Sequence, residues 1–501
     1  MIPKRLVLVM LDKRMLGPGL EVSPIVTGLW QVADMERDGD LLEPDQASDA
    51  MADYARAGFD TFDMADHYGS AELIAGRLLE RNRQGAVDLG ADAEPRMLTK
   101  WCPQPGIMTA ETVRAAVEER LERLGTEKID LLQLHWWMYE HPGYIDAMKE
   151  LVKLQHEGLI AHLGVTNFNT DHLRVLVKHG LWLVSNQVCF SLLDRRAGGR
   201  MTDFCLDNSI KLLAYGALGG GFLTDKWVGA PKPAPEEIGD WSKMKYARFV
   251  NQIGGWGVLQ SVLGALKEIA DRYEVSVANV ATRWVLEQQA VGAVIVGARL
   301  GEREHREDNL RVLSFALDNK DHSAIDQALE GAQPIPGDCG DEYRRPPFLT
   351  ASGDLSDHPS MSPAVFEVAD VPDRPGRLMI DTGSEFEPIA GYCRAMRIGD
   401  RILVSGTTAT HGEGEVVCMG DVAGQTVYIL DKIVAAIVSL GGSLEDVVRT
   451  RIYLKDAGQW EPVSRVHGRY FGKVRPANTL VEISDLVGDY LVEIEAEAIV
   501  G

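Results

Sequence analysis

"RMLTKWCPQPGIMTAETVRAAVEERLERLGTEKIDLLQLHWW", residues 96–137, sets two short apolar runs around one helical stretch. Within 109–125, Val113, Val117, Leu121 and Leu124 recur at the helical period and line one face. The flanking "RMLTKW" and "IDLLQLHWW" read as buried strands. The same rhythm runs outward from residue 16 to 330, through "VTGLWQV", "FDTFDMA", "IAHLGVTNF", "VSNQVCF", "IKLLAYGA" and "GAVIVGAR". Eight buried strands, mostly with helices between them, predict a (β/α)8 barrel. A doubly wound sheet is the competing fold, but no strand is followed by G-x-G-x-x-G.

With 501 residues the chain is too long for one ordinary domain. Its profile, 45% hydrophobic and 25% charged, is that of a globular protein with large cores. A formal net charge of −23 argues against nucleic-acid or anionic-membrane partners, because a phosphate surface would repel it. Any bound phosphate therefore needs a local basic cluster. The six cysteines are scattered without a CxxC pair, which suits a reducing cytosol. The run before Asp12 is too short for a signal core or a membrane span, so a cytoplasmic location is expected.

Residues 331–376 are rich in Pro, Gly, Ser and Asp and lack an apolar period, so they read as a linker, parts of which can pack on a domain surface. A smaller α+β unit is expected over 377–501. Its strands are "RILVSGT", "DVVRTRIYL", "NTLVEIS" and "LVEIEAEAIV", with helices over "DVAGQTVYILDKIVAAIVSLGG" and around "EPVSRVHGRYFG".

In a barrel, reacting groups sit at the C-terminal ends of strands. Asp63, Lys100 and His135 close three such strands, and Tyr68 follows Asp63 by five residues. A buried lysine needs a carboxylate, which Asp63 supplies. The Lys100 ammonium would favour the Tyr68 phenolate and make that phenol a better proton donor to a carbonyl oxygen. His135 can orient the same oxygen. Taken singly, each has a structural reading: an ion pair, a core histidine, a surface tyrosine. Asp66, His67 and Glu72 read as helix-start and packing residues. No metal is expected, since no ligand spacing of the H-E-x-x-H kind occurs.

These segments resemble the aldo-keto reductase family over nearly the whole first domain. "GFDTFDMADHYGSAE", "LTKW" and "LLQLHWW" carry its Asp, Tyr, Lys and His signature, which implies that Asp63, Tyr68, Lys100 and His135 are catalytic. The resemblance also implies an NADP(H) site. Thr166, Asn167 and Gln187 would hold the nicotinamide carboxamide, and Tyr215 would stack on the ring. Gly28, Gly216, Leu218 and Gly297 would line the cofactor. Arg299 and His305 would meet the 2′-phosphate, and Asp308 and Asn309 the adenine. Relatives commonly carry arginine where this chain has His305, and Arg303 is a possible substitute. Trp30, Trp136 and Trp137 would line the substrate mouth, although the Trp136–Trp137 pair also suits a core.

"GYCRAMRIGDRILVSG", "DVVRTRIYLKD", "RPANTLVEI" and "LVEIEAEAIV" resemble the Rid family of imine/enamine deaminases, which implies trimers with sites between subunits. Tyr392 and Glu493 fall on its active-site tyrosine and glutamate. Asn478 stands where deaminating members carry the carboxylate-binding arginine, and Ser464 replaces a usual asparagine. The expected whole is an NADP(H)-dependent reductase of a small-molecule carbonyl, oligomeric as a trimer or hexamer. The second unit would trimerise the chain or handle an imine or metabolite. The alternatives are a dinucleotide-binding redox sensor or assembly protein with little turnover, and an imine deaminase acting in sequence with the reductase.

Overall fold

The structure is a computed structural model that describes residues 12–32, 42–90, 93, 95–239, 241–301, 305–344 and 364–501. Eight parallel strands close a barrel in chain order: Ile25–Gly28, Thr61–Asp63, Arg96–Trp101, Ile129–His135, Ile160–Thr166, Ser185–Cys189, Lys211–Tyr215 and Val291–Gly297. The last pairs back onto the first. The expected (β/α)8 barrel is therefore the fold of this region.

The opening segment shows why the crossovers form. Thr109 caps the helix Ala110–Leu124 by accepting the Thr112 amide, and Gly125 ends it in the left-handed region at φ 57°. Val113, Val117 and Leu124 are buried, while Leu121 lies at the margin. At the opposite end of the barrel, the strands Arg14–Gly17 and Leu20–Val22 form a hairpin. Leu16, Leu20 and Val22 pack there against the interior residues Val26, Leu98, Leu131 and Leu213. The N-terminal end is thereby plugged, and the C-terminal ends of the strands are left open.

The stretch expected as linker is structured at both ends. Residues 332–344 fold back over the barrel, burying Ile335, Cys339, Glu342 and Tyr343. Polar contacts hold this strap where no apolar period exists. Glu342 and Asp194 both pair with Arg196, and the Asp338 carboxylate accepts the Thr170 amide. At the other end, Val368–Asp370 adds an edge strand to the second unit.

That unit is a seven-stranded mixed sheet. Its order is Val368–Asp370, Arg377–Ile380, Ala395–Ile398, Arg401–Thr407, Val492–Ile499, Val447–Leu454 and Ala477–Glu482. Residues of Val492–Ile499 alternate between buried and half-buried, as expected when one face carries helices. The helix Val422–Ser439 is apolar on nearly every side because it is covered twice, by this sheet and by the barrel helix Thr170–Lys178. Among the described residues it alone is long and apolar enough to cross a membrane, yet it is buried here. Polar pairs rim the junction. Arg174 grips Asp421 through two bonds of 2.6 and 3.0 Å, and Arg469 grips Asp171 through two of 2.5 and 2.7 Å.

Candidate active site

The open end of the barrel holds a cavity of about 710 Å³. Lys100, at the end of its strand, is 2% exposed and reaches Asp63 Oδ2 at 2.7 Å and the Met64 carbonyl at 2.9 Å. The other oxygen of Asp63 accepts the Gln187 side-chain amide at 2.7 Å. A charge pair this deep stands only when such further bonds satisfy it. The Lys100 ammonium lies 4.9 Å from the centre of the Tyr68 ring, and Trp30 packs edge-on against that ring. His135 is 4% exposed. Burial pushes its pKa well below the usual histidine value, with Arg344, His67, Lys100 and Lys245 adding to the effect, so the ring is neutral.

Side chains alternate beyond the end of Ile129–His135. Trp137 turns into the cavity with its ring centre 3.6 Å from that of His135. Trp136 turns away into the core, is fully buried, and donates to the Met138 carbonyl at 2.7 Å. The expectation that both tryptophans line the mouth is corrected for Trp136.

Toward the other end, Thr166, Asn167, Gln187 and Tyr215 line the same cavity. Asn167 sits in the left-handed region at φ 55°, a conformation asparagine tolerates better than most residues. Its Oδ1 accepts the Tyr215 hydroxyl at 2.8 Å, while the Thr166 hydroxyl donates to the Gln187 carbonyl. At Gly216, φ is 71°, and a Cβ would come within 2.0 Å of the Tyr246 hydroxyl. Gly28, Leu218 and Gly297 also border the cavity, as do Arg299, His305, Asp308 and Asn309 at its far end. Asp308 additionally accepts the Ser276 hydroxyl at 2.9 Å. Arg303 lies outside the described residues. One long cavity, with side-chain amides and proton-transfer groups at one end and basic side chains at the other, fits a dinucleotide. The buried Gln31 Oε1, which has no hydrogen-bond partner among the described residues, and the open space beside Gly221 leave room for one.

Sequence reasoning missed part of this wall. The strap places Tyr343 in the cavity, 5.5 Å from His135 between ring centres. Lys245 donates to the Tyr343 hydroxyl at 2.5 Å and lies 5.0 Å from the Tyr215 ring. Lys226 and Lys243 border the cavity too. One signal was available. The stretch 216–290 between the seventh and eighth strands is far longer than one crossover helix requires, and it carries "DKW" and "KMKY".

Beside Tyr68, Asp66, His67 and Cys102 bring one potential ligand atom each within 4.8 Å of one another. The Asp66 carboxylate is occupied there by the His67 amide, the His67 ring and the Cys102 amide. Glu72 is fully buried and accepts the Thr99 hydroxyl, with Arg123 at 3.3 Å.

In the second unit, Arg394 donates to the Tyr392 hydroxyl at 3.1 Å and to the Gly406 carbonyl at 2.6 Å. A Cβ on Gly406 would fall 1.9 Å from Glu493, so Tyr392 and Glu493 gather around one point. Asn478 lies elsewhere. It is on the edge strand Ala477–Glu482, two strands from Glu493 or roughly 10 Å across the sheet, and it donates to the Thr450 hydroxyl at 2.9 Å.

Fold and cavity together define a barrel oxidoreductase. The chain belongs to the aldo/keto reductase family, whose profile matches residues 24–330. It is 28% identical over 334 residues to the chloroplastic pyridoxal reductase of Arabidopsis thaliana, covering 64% of this chain and 86% of that protein. A solved glycerol dehydrogenase from Gluconobacter oxydans shares the fold at a TM-score of 0.53 and 23% identity, covering 65% of this chain and 98% of that one. Residues 382–500 match the endoribonuclease L-PSP family. They resemble a RutC family protein of Pyrococcus abyssi at 37% identity over 112 residues, 22% of this chain and 88% of that protein. This C-terminal unit is the Rid-type domain that the sequence led us to expect.

Proposed function

We propose that the chain reduces an aldehyde or ketone to an alcohol at the expense of NADPH, with Tyr68 as the proton donor. The observation that carries this reading is Lys100, whose ammonium bonds Asp63 at 2.7 Å and stands 4.9 Å from the Tyr68 ring. When bound, the cofactor supplies hydride to the carbonyl carbon. Tyr68 gives its phenolic proton to the carbonyl oxygen as charge develops there, and the adjacent Lys100 cation steadies the phenolate left behind. Neutral His135 orients the oxygen by a hydrogen bond. Trp30, Trp137 and Tyr343 keep water from that end. Asn167 and Gln187 would hold the carboxamide and Tyr215 the nicotinamide face. Arg299 and His305 would meet the 2′-phosphate, which favours NADP(H) over NAD(H).

The C-terminal unit serves assembly in this reading. Its sheet exposes Leu403, Val448, Val481 and Ile499, and Asn478 is too far from Glu493 to share a site within one chain. A trimer would bring such faces together, whereas deamination would lack the guanidinium grip. Six unpaired cysteines suit a cytoplasmic setting. Incubating the protein with NADPH and a panel of aldehydes and ketones, and following absorbance at the nicotinamide band, tests the reading. Loss of absorbance with a subset of carbonyls is expected. Tight NADPH binding with no turnover on any of them would favour a sensing role instead.

A further inference from the structure

We propose that Asp431 of the C-terminal unit is a positioning residue for the dinucleotide site, acting on Asn167 through His172, Asn169 and Tyr139. The inference rests on the reading of Asn167 as a cofactor contact. Asp431 and His172 are 4% and 1% exposed, and Asp431 Oδ2 lies 2.7 Å from His172 Nε2 across the junction between the two units. Tyr470 donates to the other Asp431 oxygen at 2.5 Å, so the carboxylate is fixed from both sides.

On the barrel side, His172 Nδ1 lies 2.7 Å from Asn169 Oδ1, which also accepts the His172 amide. The Asn169 side-chain amide donates to Asp341, which fixes which way that group points. The imidazole stands between two oxygen acceptors, and its face stacks on Tyr139 with ring centres 3.4 Å apart and planes 4° from parallel. The Tyr139 hydroxyl, which burial keeps protonated, accepts the Asn169 amide at 3.1 Å and points its hydrogen at the Asn167 carbonyl at 3.4 Å. Arg344 grips the same carbonyl at 2.6 Å and covers the other side of the Tyr139 ring, 4.1 Å from its centre. These groups hold Asn167 in its left-handed conformation and so aim its side chain into the cavity. A residue in that region persists only when its surroundings over-determine it. Here those surroundings reach into the other unit. The Arg174–Asp421 pair crosses the same junction but is not part of the relay.

The test is titration of the full-length protein with NADPH, followed by tryptophan quenching. Asp431→Ala should weaken binding roughly tenfold, a coupling of ordinary size for residues in one network. Asp431→Asn keeps an acceptor for His172 and should fall between, which preserves the test if the alanine variant does not fold. His172→Leu should weaken binding as much as Asp431→Ala, and the double variant no further. Arg174→Ala should leave the affinity unchanged. Equal weakening by Arg174→Ala and Asp431→Ala would reduce the relay to simple docking, and wild-type affinity in Asp431→Ala and Asp431→Asn would overturn it outright. If the unaltered protein bound no dinucleotide, the functional reading itself would fail first.

Discussion

The hydroxyls of Tyr343 and Tyr215 lie 3.0 Å apart although 128 positions separate them in the chain. Tyr215 ends a barrel strand, and Tyr343 arrives on the strap that folds over the mouth. With Lys245 bonded to Tyr343, the three residues close one side of the cavity. Tyr343→Ala should open that side to water. The expected result is a KM for small carbonyls raised about tenfold with kcat changed less, the pattern of lost substrate binding, measured by steady-state kinetics.

Tyr68→Phe removes the proposed proton donor while keeping the ring against Trp30. Turnover should fall by roughly 10²–10⁴, the usual worth of a general acid, while NADPH affinity stays within twofold. A phenylalanine variant with native turnover would exclude Tyr68 as the donor.

Lys100→Met leaves the Asp63 carboxylate buried with only amide partners among the described residues. Breaking such a pair from one side costs about 3–5 kcal/mol, and urea unfolding should register that loss. The double variant Lys100→Met/Asp63→Asn should regain much of the stability. It should regain no activity, which separates the structural part of the pair from its chemical part.

Lys432 donates to the Thr410 carbonyl from a half-buried position, and desolvation, helped by Arg394 and opposed by Glu387, pushes its pKa down to about 8. The unfolded chain, with an ordinary lysine near 10.5, binds the proton more tightly. Stability from this group therefore rises as pH climbs from about 8 toward 10.5, and below 8 the full penalty remains. Lys432→Met should raise the Tm at pH 7 by a few degrees, offset in part by the lost bond to Thr410. That gain should shrink as the pH approaches 10, as differential scanning fluorimetry over a pH series would record.

What could be read in advance follows regular structure. Asp63, Lys100 and His135 end strands whose apolar runs are plain, so their convergence follows from the barrel itself. Trp136 and Trp137 divide because neighbouring side chains point in opposite directions, a detail that a run of two aromatics conceals. Tyr343 comes from a segment without periodicity, where polar contacts such as Arg196 with Glu342 decide the path, and Lys245 sits on the helix Trp241–Gln252 of the overlong connection after the seventh strand. The meeting of His172 with Asp431 joins residues of two separately folded patterns, and nothing local in either announces it.

The helix Val422–Ser439 faces apolar neighbours on both flanks, one from each half of the molecule. A protease nick in the connection would therefore not release two comfortable proteins. Each fragment would emerge with a bare greasy wall, so the halves should stay together after cleavage and come apart only under denaturant, as one cooperative body with a broken backbone.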